Sequence, residues 1–297
     1  MRIFVTGASG FVGSAVVQEL LGAGHQVLGL ARSEEAAQTL TAAGAEVHRG
    51  SLDDLDSLRR GAEAADGVIH CAFIHDFTQY AAAAEADRRA IEAMGAALAG
   101  SNRPLLATSG FASLTRQGEF MTEEDTLDPN VPAMRHSEGA ALALVDQGVR
   151  AMVIRLAASV HDTGDHGFVP TLIGIARDKG ESAYIGDGGN RWPAVHRLDA
   201  ARLYRLALEK GVAGARYHGV ADEGVTMHEI AEVIGRHLHV PVASKAPEEA
   251  GAHFGWMAGF AGLDLAASST LTQQRLGWQP THKALLPDLE EGDYFEK

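Results

Sequence analysis

The segment Thr6-Gly7-Ala8-Ser9-Gly10-Phe11-Val12-Gly13 constrains this chain more than any other. It follows the apolar run RIFV and leads into GSAVVQELLGAG, whose apolar spacing predicts a helix. Glycines at that spacing between a strand and a helix have separate physical jobs. Gly7 permits a tight turn, Gly10 lets the backbone approach a bulky anion, and Gly13 lets the helix pack close against the strand. The unpaired N–H groups of the first helical turn then face the anion. The pattern predicts a dinucleotide pyrophosphate bound at this turn by Thr6, Gly7, Ser9, Gly10, Phe11, Val12 and Gly13.

Short apolar runs alternate with alanine-rich helical segments through the first half: QVLGLA before SEEAAQTLTAAG, AEVHRG before DLDSLRRGAE, GVIHCA before TQYAAAAEADRRAIEAMGAALAG, then PLLATSG and RAMVIRL. This order predicts an α/β fold, a doubly wound parallel sheet of the Rossmann-like kind, with ligands beyond the carboxyl ends of the strands. Residues 1–155 are expected to form this dinucleotide-binding region. After residue 156 the regularity weakens into the loops HDTGDHGFVP and GDGGNRWP, with helices near 198–210, 226–238 and 246–258. Residues 156–297 are expected to be mainly a smaller substrate-binding lobe, with late strands around 183–220 rejoining the sheet.

The end of the second strand selects the nucleotide. An NAD-binding version places Asp or Glu there to hold the ribose 2′-hydroxyl, whereas this chain reads Leu28-Gly29-Leu30-Ala31-Arg32-Ser33. A guanidinium fork at Arg32 suits a 2′-phosphate, and Ser33 adds a donor, so the expected cofactor is NADPH. Ser51 and Leu52, after the third strand, are placed beside the adenine. Cys71, Ala72 and Phe73, after the fourth, are placed beside the ribose and pyrophosphate, with Thr108 and Ser109 after the fifth.

A formal charge of -14 repels phosphate backbones and anionic lipid, which disfavours nucleic acid and membrane surfaces and leaves a small molecule as the expected partner. Cys71 is the single cysteine, so no internal disulfide forms. The chain starts directly on a strand pattern and carries no long apolar span, and a cytoplasmic protein is expected.

TGASGFVG at the front and RWPAVHRLDAARL in the second half together resemble the extended short-chain dehydrogenase/reductases, in particular their epimerase/dehydratase members. RLAASVHDTGDHGFVP, YIGDGGNRWPAVHRLDAA, EEAGAHFGWMAGF and ASSTLTQQRLGW are similar to an atypical subgroup that lacks the usual active-site residues and includes a ketoreductase tailoring an angucyclinone-type aromatic polyketide antibiotic. The resemblance implies an NADPH-dependent oxidoreductase acting on such a ketone. The family's catalytic tyrosine and lysine stand four apart on the helix after the fifth strand. Here Tyr80 is the only tyrosine before residue 184 and Lys179 is the first lysine, so that pair cannot be built from this helix. The family's segment superposes Met134 on the tyrosine and Glu138 on the lysine, with Ser137 retained between them and Gly110 at the usual serine. A thioether has no proton to give, while Glu138 could accept bonds from ribose hydroxyls.

General acids are worth about 10²–10⁴ in rate, so the loss must be answered. Ser109, His75 and His136 are the candidate substitute acids. Alternatively, the substrate stabilises its own oxyanion through a neighbouring phenol or a conjugated ring, and positioning suffices. An aromatic pocket of Phe111, Met134, Phe168, Trp192 and Trp256 would hold such a polycycle, with Phe73 nearby. A third reading moves no hydride: a redox sensor that binds NADPH and changes partners. A sugar-nucleotide epimerase or dehydratase fits less well, because those reactions need the absent tyrosine. No metal site is expected: His161, Asp162, Asp165 and His166 fall in what reads as a flexible glycine loop. Arg236, His237 and His239 read as helix-end cations and Asp199 as a helix start.

Overall fold

The structure, a computed structural model, describes residues 1–75, 79–114, 116–127 and 135–296. Alternation is clearest in its central sheet. Arg2–Thr6 (β1), Gln26–Ala31 (β2), Glu46–Arg49 (β3), Gly67–His70 (β4), Pro104–Ser109 (β5) and Arg150–Leu156 (β6) are followed, after an excursion through the second lobe, by Arg216–Gly219 (β10). These seven strands lie in the order β10-β6-β5-β4-β1-β2-β3, all parallel. Along each strand, successive side chains enter opposite layers. Ile3, Val5, Ile69, Leu106, Met152 and Ile154 join the core under Phe11–Gly22 (α1), Glu34–Ala42 (α2) and Arg197–Lys210 (α7). Phe4, Val68, Leu105, Ala107, Ala151 and Val153 join a second core under Leu55–Glu63 (α3), Tyr80–Leu98 (α4) and Ser137–Ala143 (α5). Both faces are covered, which explains why the strands read as nearly unbroken apolar runs.

Strand order reverses at β1: β2 and β3 lie on one side of it and β4, β5 and β6 on the other. The crevice beyond the carboxyl ends of β1 and β4 is therefore the topological switch point, where doubly wound sheets bind their ligands.

The second half builds two small sheets. In one, Arg191–His196 (β9) is flanked by Ser159–His161 (β7), parallel, and Asp222–Thr226 (β11), antiparallel. In the other, Ser182–Ile185 (β8) pairs in parallel with Val242–Lys245 (β12). Of the late strands, only β10 joins the central sheet. Phe168–Lys179 (α6) and Met227–Leu238 (α8) cover β8, and α8 starts with a capping box in which the Thr226 hydroxyl accepts from the Glu229 N–H while the Glu229 carboxylate accepts from the Thr226 N–H. The helix expected over 246–258 is instead broken into Ala250–Phe254 (α9) and Ala258–Ala261 (α10), because Gly255 turns the backbone to a φ of +56°. Thr270–Leu276 (α11) and Leu285–Glu291 (α12) close the chain. Among the described residues, no helix is long and apolar enough to cross a membrane.

Candidate active site

The turn after β1 has the shape its sequence predicts. Gly7 has a φ of +67°, and a Cβ there would sit 2.7 Å from the Ala72 nitrogen, so the loop touches the chain leaving β4. At Gly13 a Cβ would lie 2.0 Å from the Gly7 carbonyl oxygen, so α1 presses directly on the turn. Gly10 caps α1 without a side-chain bond, and Ser9 and Gly10 are exposed at the crevice. This cradle of backbone without side chains fits a dinucleotide pyrophosphate on its own geometry. Thr6 contributes differently from the sequence expectation: its hydroxyl is buried and engaged 2.7 Å from His70 Nδ1, linking β1 to β4.

At the end of β2, Arg32 is exposed and makes no ion pair among the described residues, while the Ser33 hydroxyl caps α2 by accepting from the Ala36 N–H at 3.1 Å. Arg49, which the sequence did not single out, stands beside them at the end of β3. Its Nη1 donates to the Ser33 carbonyl at 2.9 Å and its other arm meets Glu34. Ser51 and Leu52 follow β3 half-buried on the same rim.

The crevice floor at the ends of β4 and β5 is a hydrogen-bonded cluster. Thr108 donates to the His70 carbonyl at 2.7 Å, and its oxygen lies 2.6 Å from the hydroxyl of Tyr204, a fully buried residue of α7. Burial pushes the Cys71 thiol beside them up to about 12 and the Tyr204 hydroxyl well above its ordinary value. Neither is a ready acid or nucleophile. Ser109 is nearly buried at the last β5 position, in register with Arg155.

The remaining acid candidates separate. His75 is exposed, edge-on to Phe73 with centroids 5.5 Å apart, and desolvation followed by the Arg135 charge lowers its pKa. His136 is exposed, and the acid it influences is Glu85 on the exposed side of α4. Glu138, expected to face ribose hydroxyls, has its carboxylate engaged within the fold. Its carboxylate is buried and takes Nε and Nη2 of Arg155 at 2.9 and 2.7 Å and Nε of Arg216 at 2.7 Å. The residue that sequence reasoning missed is Arg135, just before α5. Its guanidinium lies 4.0 Å above the centre of the Phe73 ring, and its Nη2 donates to Asp87 at 3.0 Å. Burial alone would raise the Asp87 carboxyl, but the bonds and charges of His70 and Arg135 outweigh it and hold it at about 2.

The aromatic pocket residues are only partly brought together. Phe168, at the start of α6, has its ring centre 5.6 Å from Trp192, 6.3 Å from Trp256 and 5.0 Å from Phe260, which completes the cluster. Trp192 is not in a loop: it lies on β9 and is fully buried, so it supports the wall from behind, while Trp256 is 48% exposed. Phe111 is displaced from the pocket into the core, edge-on to His218 of β10 at 4.7 Å. Met134 lies outside the described residues.

The HDTGDH segment is also more ordered in its bonding than a flexible loop. His161 belongs to β7, is fully buried, and sits 2.8 Å from Asp288 through Nδ1. His166 lies at right angles to the Phe11 ring at 5.8 Å, and the Arg197 guanidinium lies over that ring at 4.9 Å while bonding Asp162 at 2.8 Å. Residues from the second half of the chain thus contact the helix start that follows the cofactor turn. Asp199 is a tie as well, accepting from the backbone N–H groups of Thr281 and His282. Among the described residues, no cluster of three or more His, Cys, Asp or Glu side chains is arranged to hold a metal ion.

Burial raises the Asp165 carboxyl in this loop to about 6. The folded chain then holds the proton more tightly than the unfolded one, where an aspartate titrates near 4. Stability from this group is complete below pH 4 and lost as the pH rises through about 6. Asp165→Asn, which keeps the oxygen that accepts from the Gly167 N–H, is expected to raise the melting temperature by a few degrees at pH 8 and to leave it unchanged at pH 4. Thermal melts at both values check this, and an equal shift at both would contradict it.

Residues 3–220 match the NAD dependent epimerase/dehydratase family, and the chain belongs to that family. Over 296 residues it is 53% identical to the uncharacterized protein C2A9.02 of Schizosaccharomyces pombe, covering 99% of this chain and 100% of that one. A 4-hydroxy-2-methyl-3-oxo-4-farnesyl-3,4-dihydroquinoline-1-oxide ketoreductase of Stigmatella aurantiaca is 27% identical over 236 residues, 73% of this chain and 67% of that protein. Among solved structures, the dTDP-glucose 4,6-dehydratase DesIV of Streptomyces venezuelae, with NAD bound, aligns over 100% of this chain and 97% of its own at a TM-score of 0.79 and 21% identity, a likeness of fold.

Proposed function

We propose that this protein is an NADPH-dependent ketoreductase that reduces a carbonyl on a polycyclic aromatic molecule of the aromatic polyketide kind, without the tyrosine and lysine of its relatives. The observation that carries the reading is the pairing of a complete cofactor turn with a chain that has no lysine before Lys179 and only Tyr80 before Tyr184. A chain built this way keeps hydride chemistry and drops the proton donor on which sugar-nucleotide epimerisation and dehydration lean. The named ketoreductase relative, whose printed name gives a 3-oxo-3,4-dihydroquinoline-1-oxide as its ketone, supports reduction of a ring ketone.

The turn at Gly7–Gly13 would hold the pyrophosphate, and Arg32 with Ser33 would hold the 2′-phosphate. When bound, the reduced nicotinamide supplies a hydride. The chain's own contribution is placement. His166 and Arg197 contact Phe11 at the helix start that follows the turn, and the Phe168, Phe260 and Trp256 faces offer an apolar wall for a flat ring system.

Arg32→Ala is expected to weaken NADPH binding by about tenfold to a hundredfold and to leave NADH binding within about threefold, because only the former carries the phosphate that a charge-assisted bond would hold. Fluorescence titration with both nucleotides measures this. Equal loss for the two, or tighter binding of NADH by the unaltered protein, would remove the NADPH assignment. Mixing with angucyclinone and anthraquinone-type ketones then tests the reaction: consumption of NADPH with at least one is expected. Tight NADPH binding with none consumed would favour a sensor.

A further inference from the structure

We infer that Arg135 is the electrophile of this site: its guanidinium donates hydrogen bonds to the substrate's carbonyl oxygen and stabilises the alkoxide formed there, in place of a phenolic acid. The inference rests on the ketoreductase reading and adds the group that answers the developing charge.

Three observations place Arg135 in this role. First, it lies in the crevice at the active end of the sheet, stacked 4.0 Å over Phe73, which directly follows the β4 exit, and it neighbours Met134, where the family's tyrosine superposes. Second, it is held. Asp87 takes one arm at 3.0 Å, and Asp87 is itself fixed by His70 Nε2 at 3.1 Å and by the Ser137 hydroxyl at 2.5 Å. A guanidinium clamped between a ring face and a carboxylate loses little freedom on meeting a ligand. Third, its donors are not all engaged: among the described residues only Nη2 has a hydrogen-bond partner, Asp87, and the side chain keeps 18% of its surface open. The contrast with Arg155 is direct, since that side chain, fully buried, is met by both oxygens of Glu138, the Thr122 and Asp125 carbonyls and His218. A buried, charged donor left unmatched costs stability, and an oxygen bearing negative charge removes that cost.

The chemistry balances without a protein acid. As the C–H bond forms at the carbonyl carbon, the π electron pair moves to oxygen. The nicotinamide is oxidised and the ketone reduced to an alkoxide, which then takes a proton from water. Arg135 gives up no proton and acts by charge and directed N–H groups.

The test uses the full protein with NADP+ bound and alizarin, a hydroxyanthraquinone whose phenolate differs in colour from its phenol. A fixed guanidinium within a few ångströms lowers a phenol's pKa by about one to three units. The unaltered complex is expected to shift the dye's colour change down by at least about one unit relative to Arg135→Gln, with Arg135→Lys recovering part of the shift. Asp87, His70, His75, Tyr80, Cys71 and Tyr204, titratable groups around the guanidinium, are common to all three proteins. NADP+ affinity within about threefold in each variant shows that the fold and turn are intact. An equal shift in the unaltered and Gln proteins, or no dye binding by the unaltered complex, overturns the assignment. Because no turnover is involved, failure to reduce any ketone would count against the reductase reading and not against this result.

Discussion

Replacing Glu138 by alanine is expected to cost about 3–5 kcal/mol of folding stability. Glu138 and Arg155 are both almost wholly buried, and the guanidinium meets the carboxylate through two parallel bonds. Removing the carboxylate leaves Arg155 a buried cation facing backbone carbonyls and a histidine. That histidine, His218, gives no charge back, because burial and then the Arg155 charge push its pKa down to about 3. The ion pair also joins α5 to β6 and, through Arg216, to β10, so the edge of the sheet loosens with it. Urea unfolding of Glu138→Ala should show the full loss. A double variant, Glu138→Leu with Arg155→Met, should recover most of it, because matched apolar groups of similar volume replace a buried pair at little cost. A loss below about 1 kcal/mol in the single variant would mean that water reaches the pair.

The second large effect is at the cofactor turn. Gly13→Ala is expected to weaken nucleotide binding at least a hundredfold. Its Cβ would lie 2.0 Å from the Gly7 oxygen and 2.7 Å from the Gly7 carbon, where carbon contacts are most favourable at about 3.5–4.0 Å. Gly7 cannot retreat, because it already lies against Cys71 and Ala72. The start of α1 must therefore move away by more than about an ångström and carry its N–H groups out of line, a misplacement that costs about 10²-fold. Gly139→Ala serves as the control, since nothing lies within 4 Å of a Cβ there. Calorimetric titration with NADPH should separate the two; similar affinities would contradict the close packing of α1 on the turn.

How much of this was legible in the sequence depends on how local each signal is. The cofactor turn, the parallel sheet and the span of α8 follow from residues that are neighbours in the chain, and each appears where its pattern places it. Partnerships across the sheet carry no such signal. Glu138, which the sequence offers to the ribose hydroxyls, is instead met by two arginines that β6 and β10 bring to it. Trp192, in the glycine- and proline-containing run GDGGNRWP, reads as a loop residue although β9 buries it between two strands. Phe111 follows a strand end, where ligand contacts are expected, yet its ring turns to His218. Arg135 went unnoticed for the same reason: Asp87 lies 48 residues earlier and Phe73 earlier still, so nothing beside it in the chain marks it. One signal was available, an arginine next to the position of the missing tyrosine.

The central claim is that a hydride passes from the bound nucleotide to a carbonyl carbon. Single-turnover reaction with NADPH carrying deuterium stereospecifically at the transferring position, in the presence of angucyclinone and anthraquinone-type ketones, tests it most directly when the products are weighed by mass spectrometry. The expected result is one deuterium at the carbinol carbon of one product, with far less from labelled NADH. NADPH bound tightly and returned with its label intact from every ketone would contradict the claim.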